Sequence, residues 1–336
     1  MKEYKYTQPF LLENGAVLNG INIAYHTWGT LNENADNVIW ICHALTANSN
    51  AAEWWPGMIG PGLIFNTDKY FVVCANIPGS CYGSTGPLSI NAETNKPYYH
   101  EFPAITIRDI IKAFQLLRHH LQIKQICSLV GGSMGGYQAL EWSLTESDLI
   151  KQLVLLVTSG KESAWGIAIH TAQRLAIEAD ETWNKPIQNA GKKGLIAARA
   201  FGMVTYRNYQ AYNATQSDME FEKLDDYKAA GYIIYQGNKL ANRFNAYSYW
   251  LLTKTLDSHN LARGRAEKIE EVLKQIQQTT IIIGIKTDFL CPIQEQEHLA
   301  THIPHAKLFQ IDSAFGHDGF LVEIKQITNI LKSFID

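Results

Sequence analysis

The chain has 336 residues, of which 46% are hydrophobic and 18% are charged, and its formal net charge is −3, as is typical of a globular protein with a large core. It has no basic tract, so we expect neither a nucleic acid nor an anionic membrane surface as a partner. It also has no apolar run of the roughly 18 residues that span a membrane, and no apolar signal-peptide core near Met1, so we expect a cytoplasmic protein.

The first third of the chain alternates between strand-like and helical patterns. Asn19-Gly20, set among alternating apolar residues, predicts a β-hairpin at the start of the fold. The apolar runs 38–42 and 70–75 predict strands that are covered on both faces. Apolar positions spaced by three and four over 107–121 then predict an amphipathic helix.

A glycine-flanked serine follows the next strand pattern. The apolar run 126–130 precedes Gly131-Gly132-Ser133-Met134-Gly135-Gly136, and a helical pattern begins at Tyr137. Strand, G-x-S-x-G and helix together predict a nucleophile elbow, a strained turn that projects the serine hydroxyl above the sheet. Side chains at positions 131 and 135 would collide with the neighbouring strand and helix, so glycine suits both.

The pattern changes after Ser159. Between about 160 and 275 the strand-like runs disappear, and apolar residues at helical spacings predict a helical lid inserted above the sheet. The strand pattern resumes at 280–285. A mostly parallel, doubly wound sheet interrupted by a helical lid is the plan of the α/β-hydrolase fold. We therefore predict a catalytic core formed by 1–159 and 276–336, with 160–275 as the lid domain.

A serine nucleophile needs a base, and the base needs an orienting carboxylate. In this fold the order along the chain is serine, acid, histidine. Asp288 and His317 each follow a late strand, so we expect both at the sheet edge that carries Ser133, and we predict that the three form a catalytic triad. The backbone amides of Met134 and Leu45 are the predicted donors to the oxyanion.

Metal binding is an alternative use of the remaining histidines. The spacing of His298, His302 and His305 could place them on one helix face. However, the chain has neither H-E-x-x-H nor C-x-x-C, and we identify no acidic partner near these histidines. We predict no metal site and no permanently bound cofactor.

The chain resembles the homoserine O-acetyltransferase family, acyl-CoA-dependent transferases on the α/β-hydrolase fold, over nearly its whole length. The most specific segments are 43–46, 66–73, 83–87, 131–142 and 316–321. The resemblance implies a ping-pong reaction in which the serine takes an acyl group from acyl-CoA and passes it to the hydroxyl of an amino acid. It implies acetyl-CoA as donor, L-homoserine as acceptor, a role in methionine biosynthesis, and a homodimer formed through lid helices. The resemblance also implies the same catalytic triad, Ser133, Asp288 and His317.

An amino-acid acceptor is a zwitterion, whose carboxylate suits an arginine and whose ammonium suits a carboxylate. The resemblance implies that Asp318 holds the amine and that Arg199 holds the carboxylate. It implies a further acceptor contact from Tyr206. Arg207 is the alternative arginine.

Three features depart from the pattern of the family. Tyr137 stands where methionine is usual, and the loops 47–52 and 77–82 are altered. Because these segments are expected to line the site, succinyl-CoA as donor and L-serine as acceptor stay open as alternatives. A plain esterase, in which water deacylates the serine, is a further alternative. The complete triad argues against a binding protein with a degenerate site.

Overall fold

The structure is a computed structural model that describes residues 1–335. Eight strands form the main sheet: β1 (Lys2–Leu11), β2 (Val17–Trp28), β3 (Val38–Cys42), β4 (Phe71–Ala75), β5 (Ile126–Gly132), β6 (Gln152–Leu156), β7 (Thr279–Ile285) and β8 (Ala306–Ile311). Two short ribbons stand apart from it, Ile59–Gly60 with Phe65–Asn66 and Ile90–Asn91 with Lys96–Pro97.

The helices fall into three groups along the chain. The first is α1 (Ala51–Trp54), α2 (Ile107–His120) and α3 (Met134–Thr145). The second is α4 (Ala164–Glu178), α5 (Lys192–Tyr206), α6 (Tyr209–Gln216), α7 (Lys228–Ala241) and α8 (Ala246–Asp257). The third is α9 (Ile269–Leu273), α10 (Ile293–His302), α11 (Gly319–Val322) and α12 (Ile324–Leu331). Within residues 1–335, none of these helices has the length and apolar character needed to cross a membrane.

The order of strands in the main sheet is β1-β2-β4-β3-β5-β6-β7-β8. The strands β1 and β2 are antiparallel to their neighbours, and the six from β4 to β8 run parallel. This arrangement confirms the predicted α/β-hydrolase fold. All six parallel strands end at one edge, so loops that are far apart in sequence meet there.

The hairpin at the start of the fold is confirmed, but the predicted position of its turn was wrong. The turn joins β1 and β2 at Leu12–Ala16, where the side chain of Asn14 accepts a hydrogen bond from the Ala16 amide. Asn19-Gly20 lies inside β2, opposite a register shift between Tyr6 and Pro9. Of the two Asn-Gly pairs in this segment, the earlier one forms the turn and the later one faces a bulge.

Both faces of the sheet are packed, which explains why β3 is apolar throughout. Trp40 points to the face covered by α2 and α3, where its ring meets that of Trp142 edge-on at 4.9 Å between centroids. Ile39 and Ile41 point to the opposite face, with the core residues Ile327 and Leu331 of α12. Side chains alternate across a strand, so a strand buried on both faces must be apolar at every position.

The second group of helices occupies most of the segment predicted as the lid. No strand of the main sheet lies between β6 and β7 within the described residues, and α4 packs against α5 and α8. Caps at α4 and α8 fix where these helices begin, since Ser163 and Asn245 each accept a hydrogen bond from a first-turn amide. The boundaries of the two predicted domains stay predictions.

Candidate active site

The predicted elbow is a strained turn between β5 and α3. Ser133 has φ 55° and ψ −124°, a backbone conformation that non-glycine residues rarely adopt. A Cβ at Gly131 would lie 2.1 Å from the Gly135 carbonyl oxygen, and a Cβ at Gly135 would lie 2.0 Å from that of Cys42. Both glycines are therefore required by close backbone approach, as the sequence predicted.

The structure brings together the three side chains predicted as a triad. The Oγ atom of Ser133 lies 2.9 Å from Nε2 of His317, and Nδ1 of His317 lies 2.7 Å from Oδ2 of Asp288. The other oxygen of Asp288 accepts hydrogen bonds from the amides of Leu290 and Cys291, both at 2.9 Å. These bonds hold the carboxylate in the orientation that fixes the tautomer of the imidazole.

Opposing influences act on the pKa of His317. Burial alone would lower it, because the imidazolium loses hydration in the site. The charge of Asp288 and the hydrogen bond to it outweigh that loss, and the carboxylates of Asp318 and Glu162 add to them, so the pKa is raised above its ordinary value of 6.5. A raised pKa suits a base that must accept a proton from a serine hydroxyl.

The two predicted oxyanion donors lie close to the elbow. Met134 is the first residue of α3, and Leu45 follows β3 in a loop beside the elbow. In the described chain neither amide donates a hydrogen bond to another protein group. Free backbone amides close to a serine nucleophile can stabilise a developing oxyanion.

His43 supports the loop that carries Leu45. It is fully buried, its Nδ1 lies 2.9 Å from the Ala44 carbonyl oxygen, and its Nε2 accepts a hydrogen bond from the Ile77 amide at 3.2 Å. Burial lowers its pKa to about 4, so the ring is neutral near pH 7. These contacts make His43 a scaffold residue of this loop.

A cavity of about 480 Å³ opens above Ser133 and His317, and we call it the triad cavity. Its lining comes from both parts of the fold: residues of the strand ends and residues of α4, α5, α7 and α8. A concave, partly apolar space with a few convergent polar groups is typical of a small-molecule site.

Comparison with known proteins agrees with this geometry. The family model of the alpha/beta hydrolase fold matches residues 37–324. The homoserine O-acetyltransferase of Cyclobacterium marinum is 46% identical over 99% of this chain and 95% of that protein. The chain belongs to the homoserine O-acetyltransferase family. The members of this family are enzymes. The triad cavity is the candidate active site of this chain.

Solved structures show how widely the fold of this family is shared. The homoserine O-acetyltransferase from Bacillus anthracis superimposes with a TM-score of 0.92 at 25% identity, covering 100% of this chain and 97% of that one. Esterase E22 superimposes almost as well, with a TM-score of 0.91 at 22% identity, covering 100% of this chain and 99% of that one. The fold alone therefore does not separate acyl transfer from ester hydrolysis.

The residues that the family resemblance assigns to the acceptor lie around one side of the triad cavity. Arg199, Tyr206 and Asp318 all line it. The Arg199 guanidinium lies 5.0 Å from the centre of the Tyr206 ring, and that ring lies 6.1 Å from the ring of His317. The structure thus brings all three into reach of the triad.

Arg207, the alternative arginine, is placed differently. Its Nε lies 3.1 Å from Oδ2 of Asp318, and its guanidinium lies 4.9 Å from the centre of the Phe315 ring. It does not line the triad cavity. Arg207 therefore forms an ion pair with Asp318 from outside the triad cavity. The sequence did not predict this pairing, because nothing in the spacing links the two residues.

Sequence reasoning also missed a polar group beside the triad in this member of the family. Glu162 lines the triad cavity and accepts a hydrogen bond from the Tyr137 hydroxyl at 3.1 Å. Burial raises the pKa of this carboxyl. Its position soon after β6, the neighbour of β5, was the signal that could have found it, because those two strands end at the same edge.

Our expectation that no acidic residue accompanies the late histidines was wrong. Nε2 of His298 lies 3.0 Å from Oε1 of Glu270, and these two residues and His302 have ligand atoms within 4.8 Å of one another. Packing of α9 against α10 brings Glu270 close although it is 28 residues away in sequence. His305 is not part of this group, and none of the three residues lines the triad cavity.

Proposed function

We propose that the protein transfers an acetyl group from acetyl-CoA to the hydroxyl of L-homoserine through an acyl-Ser133 intermediate. The observation that carries the proposal is that two groups of residues, one for chemistry and one for binding, share a single cavity. The bonded set of Ser133, His317 and Asp288 shares the cavity with Arg199 and Asp318, which match the two charges of an amino acid. The product would enter methionine biosynthesis. The predicted cytoplasmic location stays a prediction from the sequence.

Acylation is the first half-reaction. His317 takes the hydroxyl proton of Ser133 as the serine oxygen attacks the thioester carbonyl, and Asp288 stabilises the imidazolium that forms. The amides of Leu45 and Met134 donate to the oxyanion of the tetrahedral intermediate. The intermediate collapses by breaking the carbon–sulfur bond, CoA leaves with the proton from His317, and the acyl group remains on Ser133.

Transfer to the acceptor reverses these roles. His317, again neutral, removes the proton from the homoserine hydroxyl, whose oxygen attacks the acyl-Ser133 carbonyl. Collapse of the second intermediate returns the proton to the Ser133 oxygen and releases the O-acyl amino acid. One base thus serves both half-reactions, as ping-pong kinetics require.

The charges around the cavity support an amino-acid acceptor over water. Arg199 has a buried Nε atom without a hydrogen-bond partner in the described chain, so a ligand carboxylate can satisfy it. Asp318 is held in place by Arg207 and faces the same cavity. An esterase that uses water has no need for this pair of charges.

We also propose a homodimer formed through the lid helices. Several large apolar side chains of α4, α5 and α7 are exposed: Leu175, Phe201, Val204, Ile234 and Tyr235. Because α5 packs against both α4 and α7, these side chains lie on neighbouring helices, and exposed apolar patches mark protein interfaces. The test is the mass in solution, since a monomer at micromolar concentration would contradict the proposal.

The experiment that tests the proposed function is a grid of donors and acceptors. Acetyl-CoA and succinyl-CoA are each combined with L-homoserine, L-serine or no acceptor, and release of free CoA is followed beside formation of the O-acyl product. We expect the fastest turnover with acetyl-CoA and homoserine, with slow release when no acceptor is present.

Each alternative function predicts a different result in this grid. Turnover that is equal with and without an amino acid would indicate the esterase. Faster turnover with succinyl-CoA, or with serine, would reassign the donor or the acceptor. Ser133→Ala is the control for uncatalysed thioester hydrolysis.

A further inference from the structure

Two partly buried carboxylates that line the triad cavity have no step assigned to them in the proposed reaction. Glu162 follows β6, and Glu295 lies in the first turn of α10. Within residues 1–335, neither forms a salt bridge with a basic side chain, and the only side chain that donates to either is that of Tyr137. We call this pair the acidic wall.

Specific contacts hold the carboxylate of Glu162 in place. Its Oε1 accepts a hydrogen bond from the Ser163 amide at 2.9 Å, and its Oε2 accepts the bond from Tyr137. A Cβ at Gly166 would lie 2.0 Å from Oε1, so the helix α4 has a glycine where the carboxylate approaches it. Tyr137, the departure from the family pattern noted above, thus has a partner in the cavity.

The acidic wall lies next to the triad. Cys291 donates its amide to Asp288, and its side chain lines the same cavity. Burial raises the pKa of the Cys291 thiol, and the negative charges of Asp288, Glu295 and Glu162 add to that shift, which is consistent with three carboxylates around one side chain. The charge of Glu162 also contributes to the raised pKa of His317, so the acidic wall acts on the triad itself.

The basic side chains of the cavity lie on other elements. Arg199 is on α5, Lys239 is on α7, and Arg243 follows α7. Arg243 already donates to the Thr46 carbonyl oxygen at 2.7 Å and to the Tyr82 hydroxyl. The cations of the cavity therefore lie on α5 and α7 or directly after α7, and its two partly buried carboxylates without a salt bridge lie near Cys291.

We propose that Glu162 and Glu295 select the acyl donor by disfavouring acyl groups with a terminal carboxylate. This inference rests on the proposed function and assigns its donor class: a short, uncharged acyl thioester. A carboxylate entering the cavity would lose hydration and meet charges of the same sign, whereas an acetyl group would not. The wall therefore acts at the acylation step, before the acceptor binds.

The test separates charge from length. Butyryl-CoA and succinyl-CoA both carry four-carbon acyl groups, and only the second ends in a carboxylate. Their ratio of kcat/KM, succinyl over butyryl, is measured for the wild type, Glu162→Gln, Glu295→Gln and the double variant. We expect the ratio to rise about tenfold in Glu162→Gln, which corresponds to about 1.4 kcal/mol, and to rise further in the double variant.

Two control variants test whether the ratio depends on the charges of Glu162 and Glu295. Glu53→Gln removes an exposed carboxylate that lines the same cavity on α1, and it should leave the ratio unchanged. Tyr137→Phe removes the hydrogen bond to Glu162 but keeps the charge, so its ratio should also stay near that of the wild type. Melting temperatures near the wild-type value establish that the variants are folded.

Several results would overturn the proposal that the acidic wall selects the acyl donor. One is an unchanged ratio in the double variant, and another is an equal rise in Glu53→Gln. A third is a change confined to the KM for homoserine, which would assign the carboxylates to the acceptor ammonium. Single-turnover CoA release without acceptor gives the same ratio, so the test holds even if homoserine proves not to be the acceptor.

Discussion

The triad and two of the residues assigned to the acceptor, Arg199 and Tyr206, lie on different parts of the fold. Ser133, Asp288 and His317 follow β5, β7 and β8, and their side chains are joined at 2.9 and 2.7 Å. Arg199 and Tyr206 lie on α5, a helix that also carries exposed apolar side chains, and the buried Nε of Arg199 has no hydrogen-bond partner in the described chain. The first set is complete within the protein, whereas the second has unsatisfied bonding capacity.

This difference separates chemistry from recognition. The sheet core positions the bond-making groups, because the three strands that carry them end at one edge. Helix α5 supplies Arg199, whose charge matches the acceptor carboxylate, whereas Asp318 adjoins His317 in the core. Changes in the triad should therefore impair both half-reactions, and a change at Arg199 should impair only the second.

The largest effect is expected from Asp288→Asn. Asparagine would favour the wrong tautomer of His317, and in serine proteases that change lowers kcat by about 10⁴-fold. Both the single-turnover acylation rate and the steady-state rate should fall, while the melting temperature stays near that of the wild type. Near-normal turnover of the folded variant would mean that another carboxylate orients His317.

Arg199→Ala tests the lid side of the comparison. Loss of one partner of a desolvated charge pair costs about 2–5 kcal/mol, or roughly 30-fold to several thousand-fold in kcat/KM for homoserine. Acylation by acetyl-CoA alone should proceed at the wild-type rate, as measured by CoA release in a single turnover. An unchanged dependence on homoserine would show that Arg199 does not bind the acceptor.

Arg207→Ala should have a smaller effect of the same kind. Arg207 is only partly buried and contacts Asp318 rather than the cavity, so we expect the KM for homoserine to rise about three- to tenfold. Arg207→Lys retains the charge and should recover part of this loss. A larger loss than in Arg199→Ala would reverse the assignment of the two arginines.

The smallest effect concerns the pH profile of acylation. The base must be neutral, and the pKa of His317 is raised, so kcat/KM for acetyl-CoA should rise with pH and reach half its maximum above pH 6.5. Asp318→Asn removes one of the charges that raise this pKa and should move the midpoint to lower pH. An upward shift would contradict the sign of the interaction.

Sequence alone was sufficient for the parts of the molecule set by backbone rules. Gly131 is dictated by the close approach of β5 to α3, and Gly135 by that of α3 to β3. The order of strands places Asp288 and His317 at the same edge as Ser133. The local position of the first hairpin turn was wrong because two Asn-Gly pairs compete within six residues of each other, at Asn14 and Asn19.

Contacts between side chains that are distant in sequence were not predictable in this way. The pairing of Arg207 with Asp318 and that of Glu270 with His298 depend on how helices pack, which no spacing reveals. Glu162 was overlooked because a carboxylate that follows a strand is usually solvated. Here α4 and Tyr137 enclose it.

The central claim is that Ser133 carries the acyl group between two half-reactions. Intact-mass analysis after rapid mixing with acetyl-CoA, without any acceptor, tests it most directly. The account predicts a protein one acetyl group heavier, no adduct in Ser133→Ala, and loss of the adduct when homoserine is added. An equal adduct in both proteins, or an adduct that homoserine does not discharge, would contradict it.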